Sequence, residues 1–306
     1  MAFNRAVRAR PWLDLTYGVA ATAYSAATAT PWAVWFMAKA VTSPRNAIWA
    51  AIIAMLLPPI SLNGTVFYPE GALQLLLALM LGCLLRAIAT DRLKWWVWTG
   101  VCAALGLLVH FRFLVPGLAV VVFLLATQQG RSLWLKRGIW ITAGIAFLGL
   151  MPSLIYNGLE GWPAIQFHVI NRPRFDPNPK HIMSFVETQI GICTPVFFIA
   201  LIAGGKLSML RDRARPATLL AYQSLIIFLF YCMQATINKK VMPHWPFMAY
   251  LPLLPYVPEV LAGFINAGKS LFTRYIRIAL VTTGPLLALA IGIAASLYQY
   301  DYRHSA

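Results

Sequence analysis

The chain has 306 residues, of which 60% are hydrophobic and only 11% are charged, and its mean hydropathy is +0.69. A soluble domain carries about 25% charged residues, so this composition excludes an ordinary soluble protein and indicates a membrane protein. The net charge of +16 does not indicate nucleic-acid binding, because most basic residues stand between apolar runs, as membrane topology requires.

Ten stretches are apolar enough to be candidate spanning helices, each of which needs about 20 mostly apolar residues. In chain order they are residues 12–38, 46–67, 69–90, 94–111, 113–128, 137–157, 185–205, 217–237, 245–267 and 278–298. The first is rich in Ala and Thr, and the fifth is short. The sequence therefore predicts an all-α, polytopic transmembrane helix bundle of about ten spans, formed by residues 1–306 as a single domain.

Cofactor motifs are not recognisable. The four cysteines lie inside apolar runs and show neither CxxC nor Cys/His spacing: Cys83, Cys102, Cys193 and Cys232. Such cysteines are typical of small buried apolar residues, not of disulfide or zinc sites. Neither a Walker loop nor a hydrolase triad is present. The sequence therefore indicates no metal and no cofactor.

Basic residues predict the orientation. When alternate loops are assigned to the cytoplasm, beginning near Lys39, fifteen Lys and Arg fall inside and seven fall in the outer loops and C-terminus. The outer seven are Arg112, Arg172, Arg174, Lys180, Lys239, Lys240 and Arg303. The same assignment puts all five histidines outside, together with Glu70, Glu160, Asp176 and Glu187. We interpret this polar outer face as a site; the alternative is that these residues mark water-exposed loops.

The longest polar interruption runs from Met151 to Lys180, and residues 158–184 are predicted to form an outer loop region. A loop of this length is usually functional or disordered, and its Trp, Phe and Ile content argues against disorder. It carries His168, Arg172, Arg174 and Asp176. We therefore expect it to cover a site on the outer face.

Three shorter outer motifs have two interpretations each. Glu70 follows Tyr68-Pro69 at a helix start, where a carboxylate either stabilises the helix dipole or serves a site at the membrane surface. The turn from His110 to Arg112 could bind a lipid phosphate or anchor the chain at the interface. The segment from Asn238 to Pro246, with Lys239, Lys240 and His244, could bind an anion or be a tolerated basic loop.

At these residues the chain resembles the multi-pass C-type glycosyltransferases that take a sugar from a polyprenyl phosphate, with lipid A aminoarabinose transferases and protein O-mannosyltransferases as the nearest groups. The matching stretches are Tyr68-Pro69-Glu70, Trp95 to Leu125, Met151 to His168, and His244 to Pro255. Their order and spacing carry the resemblance, which covers roughly residues 5–260.

The resemblance implies transfer of a sugar from a polyprenyl-phosphate donor to a lipid, glycan or protein acceptor, on the outer face of the inner (plasma) membrane, without metal or nucleotide. Cations would neutralise the leaving phosphate, and a carboxylate would deprotonate or orient the acceptor hydroxyl. The implied phosphate contacts are Arg112, Arg172, Arg174, Lys239 and Lys240, with His110 and His244 as further candidates. The implied catalytic carboxylates are Glu70, where the family has Asp, and Asp176.

The start of the chain departs from this family, whose first outer loop carries an acidic residue. Arg5, Arg8 and Arg10 precede the first candidate span and fall on the outer side, against the positive-inside bias. One upstream span and loop would account for both anomalies, so the sequence suggests an incomplete member that is inactive alone but folds largely as a bundle. The alternatives are a transporter or flippase of lipid-linked glycans, which would also need outer cations and broken spans, and an inactive membrane scaffold.

Overall fold

The computed structural model describes residues 25–26, 28–61, 69–166, 177–211, 217–237 and 241–304, and it holds only helices and connecting segments in these ranges. The helices are α1 (28–38), α2 (Pro44–Leu56), α3 (Pro58–Ser61), α4 (Glu70–Thr90), α5 (Leu93–Val109), α6 (Leu114–Ala126), α7 (Gln128–Leu133), α8 (Arg137–Leu159), α9 (Pro163–Ile165), α10 (Pro179–Cys193), α11 (Pro195–Arg211), α12 (Thr218–Ile237), α13 (Val257–Asn266) and α14 (Leu271–His304). In addition, 3-10 helices cover Phe111–Phe113, Trp245–Ala249 and Leu251–Tyr256. The predicted all-α membrane fold is confirmed.

In the part of the chain that the structure describes, fewer helices qualify as membrane spans by length and composition than the ten that the sequence predicts. Within the described residues, four helical stretches are long and apolar enough to cross a membrane: Glu70–Thr90, Arg137–Leu159, Thr218–Ile237 and Trp245–Asn266. A bent pair, α10 with α11, would make a fifth. Three shorter apolar stretches, Pro44–Leu56, Leu93–Val109 and Phe111–Ala126, have 10–17 residues. The predicted count of about ten is therefore not confirmed.

The predicted span 185–205 is two helices that meet at 100°. Pro195 has no N–H to continue the helix and disfavours helical geometry at the residue before it. Thr194 accordingly takes a φ of 63°. At its other end α10 begins at Pro179 with an Asn178 side-chain cap. Residues 179–184, which were predicted to belong to the outer loop, are therefore helical.

Close packing of α5 against α8 depends on residues without a Cβ. A Cβ at Gly149 would lie 2.3–2.6 Å from the backbone of Ala104, and one at Gly100 would lie 2.8 Å from Ile145. Small residues let helix backbones approach closely in membrane proteins. Thr142 adds a polar contact, since its hydroxyl donates to the Trp96 carbonyl at 2.8 Å. The two helices thus form one packed unit although α8 is mostly exposed.

Two polar groups mark opposite ends of α4. Glu70 is its first residue and Asp91 caps its other end, about 31 Å away for 21 residues. Asp91 accepts from Lys136 at 2.6 Å and from the Trp96 indole at 3.2 Å, and these hydrogen bonds lower the pKa of its carboxyl. The structure thus groups Asp91 with Lys136 at one end, as the alternate-loop assignment requires, and leaves Glu70 at the other.

The glycine contacts predict opposite effects for two substitutions in α8. Gly149→Ala should destabilise the protein by about 1–3 kcal/mol, because the new methyl group overpacks against the Ala104 backbone. Gly144→Ala should be neutral or stabilising, because nothing lies within 4 Å and alanine favours the helix. Unfolding in detergent micelles would measure both. Equal effects would show that α5 and α8 do not pack as described.

The membrane topology inferred from the sequence predicts on which side of the membrane a fused reporter lies. A reporter fused after Arg213 should be cytoplasmic and one fused after Asp176 should be external; both positions lie outside the described residues. The measurement is the activity of a reporter that works on only one side of the membrane. A reversed pair would put Glu70 at the cytoplasmic face and remove the topological basis for an outer site.

Candidate functional site

The candidate site begins with a buried carboxylate. Glu70 is the first residue of α4 and is only 2% exposed. Pro69 precedes it, and the Pro69 carbonyl accepts from the Leu73 N–H to close the first turn. The helix N-terminus stabilises a negative charge there, but removing a carboxylate from water costs several kcal/mol. A partner cation is therefore required.

Arg112 is that partner. Its Nη2 lies 2.5 Å from Glu70 Oε1, and the two side chains are 12% and 3% exposed. Arg112 belongs to the 3-10 turn between α5 and α6. His110 fixes that turn, because its Nδ1 accepts from the Arg112 backbone N–H at 3.1 Å. Glu70 and Arg112, which the sequence placed on the same face, are thus in direct contact.

His244 brings the third predicted motif to the same place. Its Nε2 lies 3.7 Å from Glu70 Oε1, and the next residue, Trp245, has its ring centroid 5.5 Å from the Arg112 guanidinium carbon. Burial lowers the pKa of His244; the Glu70 carboxylate opposes that shift and Arg112 adds to it. An imidazole whose pKa lies below about 6.5 is mostly neutral at pH 7, so His244 can accept a proton.

A tyrosine that sequence reasoning missed completes the cluster. Tyr231, in α12, is 1% exposed and interacts electrostatically with Arg112 and Glu70. Two buried atoms here have neither a hydrogen-bond partner nor an ion-pair partner within the described part of the chain: Glu70 Oε2 and Arg112 Nη1. Buried polar groups are normally paired. An unpartnered donor and an unpartnered carboxylate oxygen in the same cluster therefore indicate a place for a polar ligand.

The described residues do not include the other predicted site residues. Asp176, Arg172, Arg174, Lys239 and Lys240 lie outside the described residues, as does His168. Both lysines stand in the short connection between the end of α12 and His244. Lys180 is exposed in the first turn of α10. The structure thus brings together Glu70, Arg112, His110 and His244 from the predicted set.

The chemistry of the cluster follows from its charges. The Arg112 guanidinium offers a planar fork of donors, one arm of which is held by Glu70. The other arm, Nη1, suits an anionic oxygen such as that of a phosphate. Glu70 Oε2 can accept a hydrogen bond from a hydroxyl. An anion on Arg112 and a hydroxyl on Glu70 could therefore be bound next to each other.

Comparison with known proteins supports the resemblance noted from the sequence. Residues 17–156 match the family of dolichyl-phosphate-mannose-protein mannosyltransferases. The fold is similar to that of ArnT from Cupriavidus metallidurans, with a TM-score of 0.57 to the apo structure and 0.58 to the structure bound to undecaprenyl phosphate. Identity is 18% in both cases, over 91% of this chain. The expected resemblance to this group is confirmed.

The likeness has a limited extent. The chain spans 58% of the length of the ArnT structures that it matches. No curated protein matches it. At this identity the structural match establishes the fold, and activity has to be argued from the site.

The Glu70–Arg112 pair predicts strong coupling in stability. Glu70→Gln and Arg112→Gln should each destabilise the protein by about 3–5 kcal/mol, because each leaves a buried charge unpaired. The double variant should lose less than the sum, since it leaves neither charge. The free energies of unfolding of the wild type, both single variants and the double variant in detergent micelles measure this coupling as a double-mutant cycle.

Asp91→Asn is the matched control, because it breaks an exposed ion pair at the other end of α4. Exposed pairs contribute little to stability, so its effect should be clearly smaller. Strict additivity of the Glu70 and Arg112 variants would show that the two side chains do not form a buried pair.

Proposed function

We propose that this chain is a membrane glycosyltransferase that moves a sugar from a polyprenyl-phosphate donor to a hydroxyl acceptor at the outer face of the inner (plasma) membrane. The observation that carries the proposal is the buried cluster of Glu70, Arg112 and His244, which presents an unpartnered guanidinium arm beside an unpartnered carboxylate oxygen. The acceptor would be a lipid, a glycan or a protein.

The donor phosphate is assigned to Arg112. Guanidinium groups bind phosphate oxygens through charge-assisted hydrogen bonds, and a cation that meets the charge developing on the leaving phosphate lowers the barrier. Further phosphate contacts are proposed from Arg172, Arg174, Lys239 and Lys240. His110 supports Arg112 by fixing the turn that carries it.

The acceptor is assigned to Glu70. In the proposed reaction the acceptor hydroxyl donates a hydrogen bond to the carboxylate, which orients the oxygen and takes its proton. The new glycosidic bond forms as the bond between the anomeric carbon and the phosphate oxygen breaks. The products are the glycosylated acceptor and the free polyprenyl phosphate. Asp176 remains the second candidate for this proton transfer.

The comparisons support the donor class in this proposal. The family description names a lipid-phosphate sugar, dolichyl-phosphate mannose, and one of the similar structures holds undecaprenyl phosphate. Both donors combine a long apolar tail with a phosphate. In this chain the charged site stands at one end of apolar helices, so the tail could lie along the bundle while the phosphate reaches Arg112.

One observation favours a transporter of lipid-linked glycans as the second candidate. The 100° break between α10 and α11 is the kind of interruption found at transporter binding sites. A transporter would bind the same donor and move it across the bilayer intact. The two functions therefore differ in whether polyprenyl phosphate is released from the sugar.

Binding of polyprenyl phosphate to the chain in lipid nanodiscs tests the assignment of the cations. Replacing Arg172, Arg174, Lys239 or Lys240 with alanine should each weaken binding by roughly 1.5–3 kcal/mol, because each removes a charge-assisted hydrogen bond. Arg112→Gln should weaken it at least as much. Lys136→Ala, at the opposite end of the bundle, should leave binding unchanged. If all of these variants bind like the wild type, the basic residues only anchor the chain at the interface.

A transfer assay with a polyprenyl-phosphate sugar separates the two functions. If the chain transfers sugar, it releases polyprenyl phosphate, which would contradict the expectation from the sequence that it is inactive alone. Glu70→Gln should then abolish that release while donor binding survives. Movement of intact donor across proteoliposomes without release would contradict the transferase and favour the transporter.

A further inference from the structure

A glutamine of α10 reaches across to the segment that carries His244. Gln189 is completely buried. Its Nε2 donates to the Pro243 carbonyl at 3.0 Å, and its Oε1 accepts from the Tyr250 hydroxyl at 2.6 Å. Both halves of the amide are therefore used, and both partners lie in the stretch that runs through His244.

That stretch needs an outside support. Residues 245–256 form 3-10 helices, whose hydrogen bonds are poorer than those of an α-helix. Pro246 and Pro252 lack the N–H that would extend an α-helical ladder. Locally, the Trp245 N–H reaches the Met242 carbonyl at 3.1 Å. The Gln189 amide ties the peptide just before His244 to a separate helix, and the tie is buried.

We propose that Gln189 is a positioning residue: together with Tyr250 it holds His244 against Glu70. The role in catalysis rests on the proposed function, in which Glu70 and His244 belong to the active site. The groups that face His244 include the Glu70 carboxylate and the Arg112 guanidinium, with Trp245 beside Arg112. A shift of the 243–244 backbone would change the distance from the imidazole to both charges.

The same helix is fixed near its start. The Asn178 N–H donates to the Thr236 carbonyl of α12 at 3.3 Å, and the Asn178 side chain caps α10. Gln189 also shares one buried stripe with Phe185 and Cys193. Helix α10 is thus held by Asn178 near its start and by the buried stripe along its length. The Gln189 amide therefore supports the segment at 243–244 from a helix that is itself fixed.

The test is the chemical reactivity of His244 in the full chain in detergent. Diethyl pyrocarbonate modifies neutral imidazoles, and mass spectrometry of the peptides reports each histidine separately as pH is varied. In the wild type, burial holds the His244 midpoint below the ordinary value of about 6.5. In Gln189→Met the freed segment should admit water, so the midpoint should rise toward that value and the limiting rate should increase. No donor is needed, so this result is independent of transfer activity.

Gln223→Met is the matched control. Gln223 is also completely buried, and its Nε2 donates to the Pro116 carbonyl at 3.1 Å. This variant should lose comparable stability and leave the His244 midpoint and rate as in the wild type. Tyr250→Phe, which removes the hydroxyl with its contacts to Gln189 and Cys193, should shift His244 in the same direction as Gln189→Met but less, and it provides the test if Gln189→Met does not fold. An unchanged His244 profile in the folded Gln189 and Tyr250 variants would overturn the proposal and leave Gln189 as a core residue.

Discussion

The structure depends on how one carboxylate is kept buried at the edge of an apolar bundle. Glu70 Oε1 lies 2.5 Å from Arg112 Nη2 there, and a buried pair is costly to break. The pair joins the start of α4 to the turn between α5 and α6, so it fixes the relative height of these helices. Because His110 holds that turn from within, the arginine is presented by a short rigid segment and not by a long loop.

The segment that carries His244 is buried although its prolines interrupt regular helical hydrogen bonding. It enters the bundle as two 3-10 helices with prolines at 246, 252 and 255, yet residues 246–256 are almost entirely buried. Backbone carbonyls that lack a helical partner must be satisfied by side chains inside an apolar protein. Gln189 does this for Pro243. A buried glutamine amide also donates to a proline carbonyl at Gln74 with Pro59 and at Gln223 with Pro116.

The sequence predicted the site in part. Alternating loops and basic residues placed Glu70, Arg112 and His244 on one face, and they are in contact. Tyr231 and Gln189 could not be found in this way, because a single polar residue in an apolar run shows no partner until the helices are packed. The break at Thr194 did leave a signal, since Pro195 stands inside the predicted span. The apolar composition on both sides of Pro195 outweighed this signal, so the sequence predicted a single continuous span.

The charges of the cluster explain why the proposed site needs residues beyond it. Glu70 and Arg112 cancel, and burial keeps His244 mostly neutral at pH 7, so the described cluster carries almost no net charge. In the proposed reaction a phosphate would reach Arg112 Nη1 while Nη2 stays on the carboxylate. A guanidinium can serve two anions in this way because its donors form a fork, whereas an ammonium is a point charge. One shared cation cannot neutralise both anions, so in the proposed reaction at least one more positive group must meet the phosphate. The proposed groups are the arginines before α10 and the lysines before His244.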